Sequence, residues 1–143
     1  MSVSHHTGRG LPITEKMIQE TCAELLEWDG WRRIRTDLKH LRGLGVQEKG
    51  IADDLFIRYH VEAVRLHYRT VEETARTEAM WIEFKRIKPT GKATKASKHQ
   101  AGWHLLERKR GALVLVAGED FSASIEGFKE WYRHSGLMRK EFL

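Results

Sequence analysis

From Ala79 to Lys85 the chain alternates strictly between two kinds of side chain. Met80, Ile82 and Phe84 fall on one face, and Trp81, Glu83 and Lys85 on the other. Only an extended strand converts a period of two into two faces. The fold must therefore contain a sheet with a wholly apolar side, and another layer must cover that side. Helices able to do so are legible. Thr14 can cap a helix that carries Glu15 in its first turn, with Ile18, Cys22, Leu25 and Leu26 at helical spacing and Gly30 as its end. Ser97 to Arg110 reads as a second helix, stopped by Gly111, and Phe121 to His134 as a third, with Ile125, Phe128 and Trp131 at three-residue steps.

Three more strands are expected. Trp31 to Thr36 puts Trp31, Arg33 and Arg35 on one side. Asp53 to Tyr59 opens just after Gly50, and Ala112 to Ala117 is a continuous apolar run of the kind buried on both faces. His60 to Glu78 reads two ways: a strand prolonged through Val61, Val64, Leu66 and Tyr68, or a short helix around Val71 to Ala75. The order of helix, strands, helix, strand, helix predicts an α/β fold with a mixed central β-sheet flanked by helices. With 143 residues, one domain is expected, over residues 13–143. Residues 1–12 read as a disordered lead-in, with His5 and His6 as tail, and Asp37 to Gly50 as a polar loop.

The single cysteine, Cys22, excludes an internal disulfide framework and any multi-cysteine zinc module. It is expected in the core. No apolar run approaches the length that spans a bilayer, and Met1 to Leu11 lacks the apolar centre of a secretory signal. The expected setting is cytoplasmic, with no membrane partner. Lys and Arg number 25 against 20 Asp and Glu, an excess that suits a polyanionic partner or plain solubility.

Glu83 and Lys85 project together about 6.6 Å apart along the strand. By itself Glu-x-Lys is a solvated edge. Four features change its weight. Gly50-Ile51-Ala52-Asp53 sets a carboxylate at the mouth of the preceding strand, where Asp53 can lie beside Glu83. Paired carboxylates repel unless a cation lies between them, and hard oxygen ligands favour Mg²⁺ or Mn²⁺. Glu15 starts the first helix and Gln100 lies on the helix after the strand. Finally, Lys85, Arg86, Lys88, Lys92, Lys95, Lys98, Arg108, Lys109 and Arg110 are opposed only by Glu107 from Lys85 to Arg110, a footprint suited to a phosphate backbone.

Glu15 with Ile18-Gln19, Gly50-x-Ala52-Asp53, Ile82-Glu83-Phe84-Lys85 and Ser97-x-x-Gln100, in that order, resemble the VRR-NUC branch of the PD-(D/E)XK nucleases from about Thr14 to Gly118. The resemblance implies a restriction-endonuclease-like core and metal-dependent hydrolysis of DNA, often by structure-selective enzymes of phage or repair systems that act on branched DNA. It implies Asp53, Glu83, the Phe84 backbone carbonyl and Glu15 as the set around Mg²⁺ or Mn²⁺. Lys85 would orient or activate the attacking water, Glu15 would match the first-helix acid, and Gln100 the later polar helix residue. Three departures stand out: Ala52 replaces the usual proline, Asp54 follows Asp53 directly, and 60–78 looks like an insertion. That insertion could hold a substrate wedge or a dimer contact, or simply lengthen a hairpin. Glycine spacing favours Asp53 over Asp54.

Arg33, Arg35 and His40 are candidate phosphate contacts, together with Arg86, Lys88, Lys92, Lys95 and Lys98; a solvated strand edge is the alternative for the first three. Trp81 shares the Glu83 side and is expected to border the cleft, the other tryptophans being core or subunit contacts. His99 and His104, five apart, lack the spacing of a helical zinc pair and read as surface or groove residues. No base-reading module is recognisable. The expected activity is a structure-selective endonuclease, possible as a homodimer. The alternatives are a catalytically silent nucleic-acid-binding module of the same fold and a module whose basic segment meets an acidic protein.

Overall fold

A computed structural model describes residues 13–36, 50–66, 70–88, 92, 94 and 97–139, with backbone alone for 61–66 and 70–75. The expected lead-in 1–12, Lys95, and the loop residues 37–49 with His40 lie outside the described residues. The chain runs α1 (Glu15–Trp28), β1 (Arg32–Arg35), β2 (Asp54–Leu66), β3 (Thr70–Glu83), α2 (Lys98–Lys109), β4 (Leu113–Val116) and α3 (Ile125–His134). The strands form one sheet in the order β1-β2-β3-β4. β1, β2 and β3 pair antiparallel, while β4 lies parallel to β3 after the α2 crossover. The sheet is therefore mixed, as the element order predicts.

Each helix starts where a hydroxyl can satisfy an otherwise unpaired backbone N–H. The Thr14 hydroxyl accepts from Met17 N at 3.1 Å, and the Ser124 hydroxyl from Gly127 N at 2.9 Å. α1 ends at Asp29, and Gly30 takes a φ of +94°, a backbone region that glycine enters without a Cβ penalty. The third helix begins at Ile125 rather than Phe121, because Ala117 bridges Phe121 and Ser124 supplies the cap.

The segment 60–78 contains no helix around Val71 to Ala75. Its described residues, 60–66 and 70–78, prolong β2 and β3 as an antiparallel pair, with Tyr59 opposite Thr77 and Leu66 opposite Thr70, and Tyr68 lies outside the described residues. Val71, Thr74 and their neighbours join the ladder because their backbone groups find partners across the hairpin, which outweighs a weak local helical preference.

The two faces of the sheet carry separate cores. Met80, Ile82, Phe84, Phe56 and Leu115 meet Ile18, Cys22, Ala23 and Leu26 of α1 and Phe128 and Tyr132 of α3. Burying each large aliphatic or aromatic side chain here contributes about 2 kcal/mol. On the other face Ala52, Trp103, Val114 and Val116 form a smaller cluster beneath α2, joined by Trp81. The Phe128 and Tyr132 side of α3 is thus spent on the core. β4 is the outer strand. Its free edge is closed locally: Arg108 donates to the Val114 carbonyl at 3.0 Å, Asp120 accepts from Val116 N at 2.7 Å, and the two side chains pair at 3.0 Å. Such closure blocks edge-to-edge association. Among the described residues no helix is long and apolar enough to cross a membrane.

A buried polar knot ties the main core together. The Asp29 carboxylate accepts from Arg58 at 3.3 Å, from the Tyr132 hydroxyl, and from Arg139 N at 2.9 Å. Trp31 Nε1–H donates to the Tyr132 hydroxyl at 2.9 Å, and the Arg58 guanidinium lies 4.4 Å from the Trp31 ring centroid. Burial, with Asp29 beside it, pushes the Tyr132 phenol well above its ordinary value, so it stays a donor. Removing one member strands the others away from water. Asp29→Ala is therefore expected to lower unfolding free energy by about 3–5 kcal/mol in urea titrations, far beyond an exposed substitution such as Glu126→Ala.

Candidate active site

Extended backbone separates Asp53 from Asp54. Asp54 pairs in register with Arg35 and Ile82, so its side chain faces α1. There it is fully buried, accepting from Gln19 Nε2 at 2.8 Å and from Arg33 Nε at 2.8 Å. Asp53 turns to the opposite face. Its Oδ2 accepts from Phe84 N at 3.0 Å, and its own N–H donates to Glu83 Oε2 at 3.2 Å. Asp53 therefore meets Glu83, and Asp54 serves the α1 interface.

Glu83 ends β3, 1% exposed. Its Oε1 accepts from Lys85 Nζ at 3.0 Å and from Gln100 Nε2 at 2.6 Å. Lys85 Nζ also donates to Gln100 Oε1 at 3.3 Å. Burial pushes the Glu83 carboxyl above the usual carboxylate range. The Lys85 charge and hydrogen bond and the Asp53 N–H oppose that rise, and the Glu15 charge adds to it. Glu15, first residue of α1, thus acts on Glu83 through its field.

Two local devices carry Gln100 to this place. Ser97 and Gln100 form a capping box: Ser97 Oγ accepts from Gln100 N at 3.2 Å, and Gln100 Oε1 from Ser97 N at 2.9 Å. Capping fixes the Gln100 side chain while its amide nitrogen reaches Glu83. Gly50 then lets the loop before β2 approach α2. Its φ is +81°, and a Cβ there would lie 2.4 Å from the His99 carbonyl oxygen. Only glycine fits both conditions.

The structure therefore brings Asp53, Glu83, Lys85 and Gln100 together, with Glu15 nearby. Phe84 is fully buried, its ring in the main core. Trp81 is half-buried on the Glu83 face and meets Trp103 edge-to-face at 5.0 Å, so it walls the smaller core. Arg86, Lys88, Lys92 and Lys98 are exposed. Lys88 N donates to Lys92 O at 2.7 Å and Thr94 N to Arg86 O at 3.0 Å, which ties these described residues to one another just after Lys85.

Arg33 and Arg35 are displaced from the expected role. Both stand on the α1 face, opposite Glu83 and Lys85. Arg33 joins Asp54 and Glu20, each at 2.8 Å, and Arg35 approaches Glu20 at 3.6 Å. A strand's period of two sends them where the apolar face goes, and buried Asp54 claims Arg33. His104 is also corrected: it is 2% exposed, not a surface or groove residue. Its spacing of four from Gln100 puts both on one helical face, a signal present in the sequence.

The oxygens at the site are hard donors. Among the described residues His, Cys, Asp and Glu form no group of three or more that could hold a metal ion. Asp53, Glu83 and the Phe84 carbonyl match the smaller protein contribution usual for Mg²⁺, where water and substrate phosphate complete the sphere. The donor chemistry fits that ion. Comparison with family models, curated proteins and solved structures finds no match.

Two expectations follow. Asp54→Ala should destabilise the fold by about 3 kcal/mol, stranding Arg33 and Gln19, whereas Asp53→Asn, isosteric at the sheet end, should change stability by less than about 1 kcal/mol; chemical denaturation separates them. The Arg33 hydrogen bond holds the Glu20 carboxyl below its ordinary value of 4.5, against some burial. A depressed carboxylate contributes stability above its unfolded value, lost as pH falls through the folded value. Glu20→Gln should therefore flatten the stability curve below pH 4.5, read as melting temperature against pH.

Proposed function

We propose that this protein is a Mg²⁺- or Mn²⁺-dependent DNA endonuclease of the VRR-NUC type, selective for branched or otherwise distorted DNA rather than for sequence. One observation carries the reading: Asp53, the Glu83–Lys85 pair and Gln100 come from three separate places in the chain to a single point at the sheet end. A burial-destabilised carboxylate beside a lysine is costly for a fold and useful to chemistry at a phosphate.

Asp53, Glu83 and the Phe84 carbonyl would hold the divalent cation, with Glu15 adding negative field. When bound, the cation lowers the pKa of a water and offsets charge growing on the phosphate. Lys85 keeps a compact positive charge beside the place of attack. Gln100 restrains both Glu83 and Lys85, limiting the motion that a reacting geometry cannot tolerate. The exposed Arg86, Lys88, Lys92 and Lys98 would track the phosphate backbone, giving steep salt dependence. Paired cuts across a four-way junction would take two copies of the chain.

A second reading, a silent nucleic-acid-binding module, is favoured by one fact: the Glu83 carboxylate already accepts from Lys85, Gln100 and Asp53. Labelled four-way junction, flap and linear duplex DNA, incubated with Mg²⁺, with Mn²⁺ or with EDTA, separate the two. Cation-dependent cuts are expected, reduced by at least about 10²-fold in Lys85→Ala and in Glu83→Ala, with the best-cut substrate defining selectivity. Tight, salt-sensitive binding without cuts would favour the silent module. Equal turnover by Lys85→Ala would remove the assigned mechanism.

A further inference from the structure

Three buried side-chain atoms among the described residues lack a hydrogen-bond partner: Thr94 Oγ1, Trp103 Nε1 and His104 Nε2. All belong to the segment that follows Lys85. His104 is the informative one, since imidazole can accept as well as donate. A buried polar atom left unpaired costs free energy comparable to a lost hydrogen bond, so its retention calls for a use.

Its surroundings point to that use. His104 lies one helical turn after Gln100, on the same face of α2, and Gln100 touches both Glu83 and Lys85. An ammonium has three donors. Lys85 spends two, on Glu83 and on Gln100, and the third has no acceptor among the described residues. His104 thus carries an unpaired buried nitrogen one helical turn from the side chain that holds Lys85, within range of the Lys85 charge. Burial, with the Arg108 and Lys85 charges nearby and Asp120 opposing them, pulls the imidazole below its ordinary value and so favours the neutral ring. A neutral ring has an unprotonated nitrogen to offer.

We propose that His104 is a positioning residue whose Nε2 accepts the third Lys85 N–H, so that Glu83, Gln100 and His104 together hold the ammonium at the reaction point. This rests on the nuclease reading for its catalytic consequence, but not for the hydrogen bond itself. The ring carries its proton on Nδ1. The third bond would replace an uncompensated burial with a satisfied one. His104 touches no substrate; it acts through Lys85.

Two measurements on the full chain test it. The first is ¹⁵N nuclear magnetic resonance of the histidine rings, for the wild type and for Lys85→Met. A neutral Nδ1–H tautomer is expected for His104, with the Nε2 resonance moving toward that of an unbonded ring nitrogen when Lys85 is replaced. A proton on Nε2, or a resonance indifferent to Lys85→Met, would overturn the proposal. The second is steady-state cleavage of the preferred DNA. His104→Leu should lower kcat by about 10- to 100-fold with KM little changed, and His104→Gln, whose amide oxygen can accept, should recover most of it. Equal rates in the wild type and in folded His104→Leu, or no advantage of Gln over Leu, would also overturn it. Should the protein cut no DNA at all, the resonance experiment still decides the hydrogen bond, and only the nuclease reading fails.

Discussion

Glu83 is the carboxylate around which the candidate site is arranged. It lies almost out of reach of water, and an isolated charge there would be very expensive. Three donors compensate it: the Lys85 ammonium, the Gln100 amide and the Asp53 backbone N–H. Each comes from a different stretch of chain. Satisfying one buried charge therefore draws the end of β3, the start of α2 and the mouth of β2 to one point. The capping box of α2 and the close approach at Gly50 make that convergence possible without strain.

The opposite face of the sheet solves a different problem with the same chemistry. Asp29 and Asp54 are also buried carboxylates, yet arginine, tyrosine or glutamine donors surround them in the main core. Arginine keeps its charge under almost any burial and forks onto carboxylates, which suits a fixed structural tie. Lysine is the more adjustable cation, and it is found on the Glu83 face. The division between arginine-paired and lysine-paired carboxylates coincides with the division between scaffold and candidate site. Trp31 and Tyr132 extend the scaffold tie into α3, and Arg33 extends it into α1 through Glu20.

Alternation decides which residues belong to which half. Asp53 and Asp54 are neighbours in the chain, but an extended backbone points them to opposite faces. Arg33 and Arg35 follow Asp54 to the scaffold side, which is why two basic residues expected to meet phosphate are committed to Glu20 and Asp54 instead. The exposed cations that remain beside the site, Arg86, Lys88, Lys92 and Lys98, come from the turn after β3 and the start of α2. Closure of the β4 edge by Arg108 and Asp120 takes Arg108 out of any simple electrostatic count as well.

The sequence by itself determined the alternating strand through Met80 and Phe84, the helices with their Thr14 cap, the mixed sheet, and Glu83 and Lys85 as a pair on one strand face. These are legible because periodicity, capping chemistry and short-range spacing act over a few residues. The tertiary structure alone decided the partner of each charge. It separated Arg33 from the exposed cations that follow Lys85, buried His104, and made 70–78 part of a long strand rather than a helix. Those outcomes depend on which surfaces meet across the sheet and on which donor reaches a buried carboxylate first. Pairings between residues tens of positions apart leave no local signature, because burial and its compensation exist only once the layers have closed.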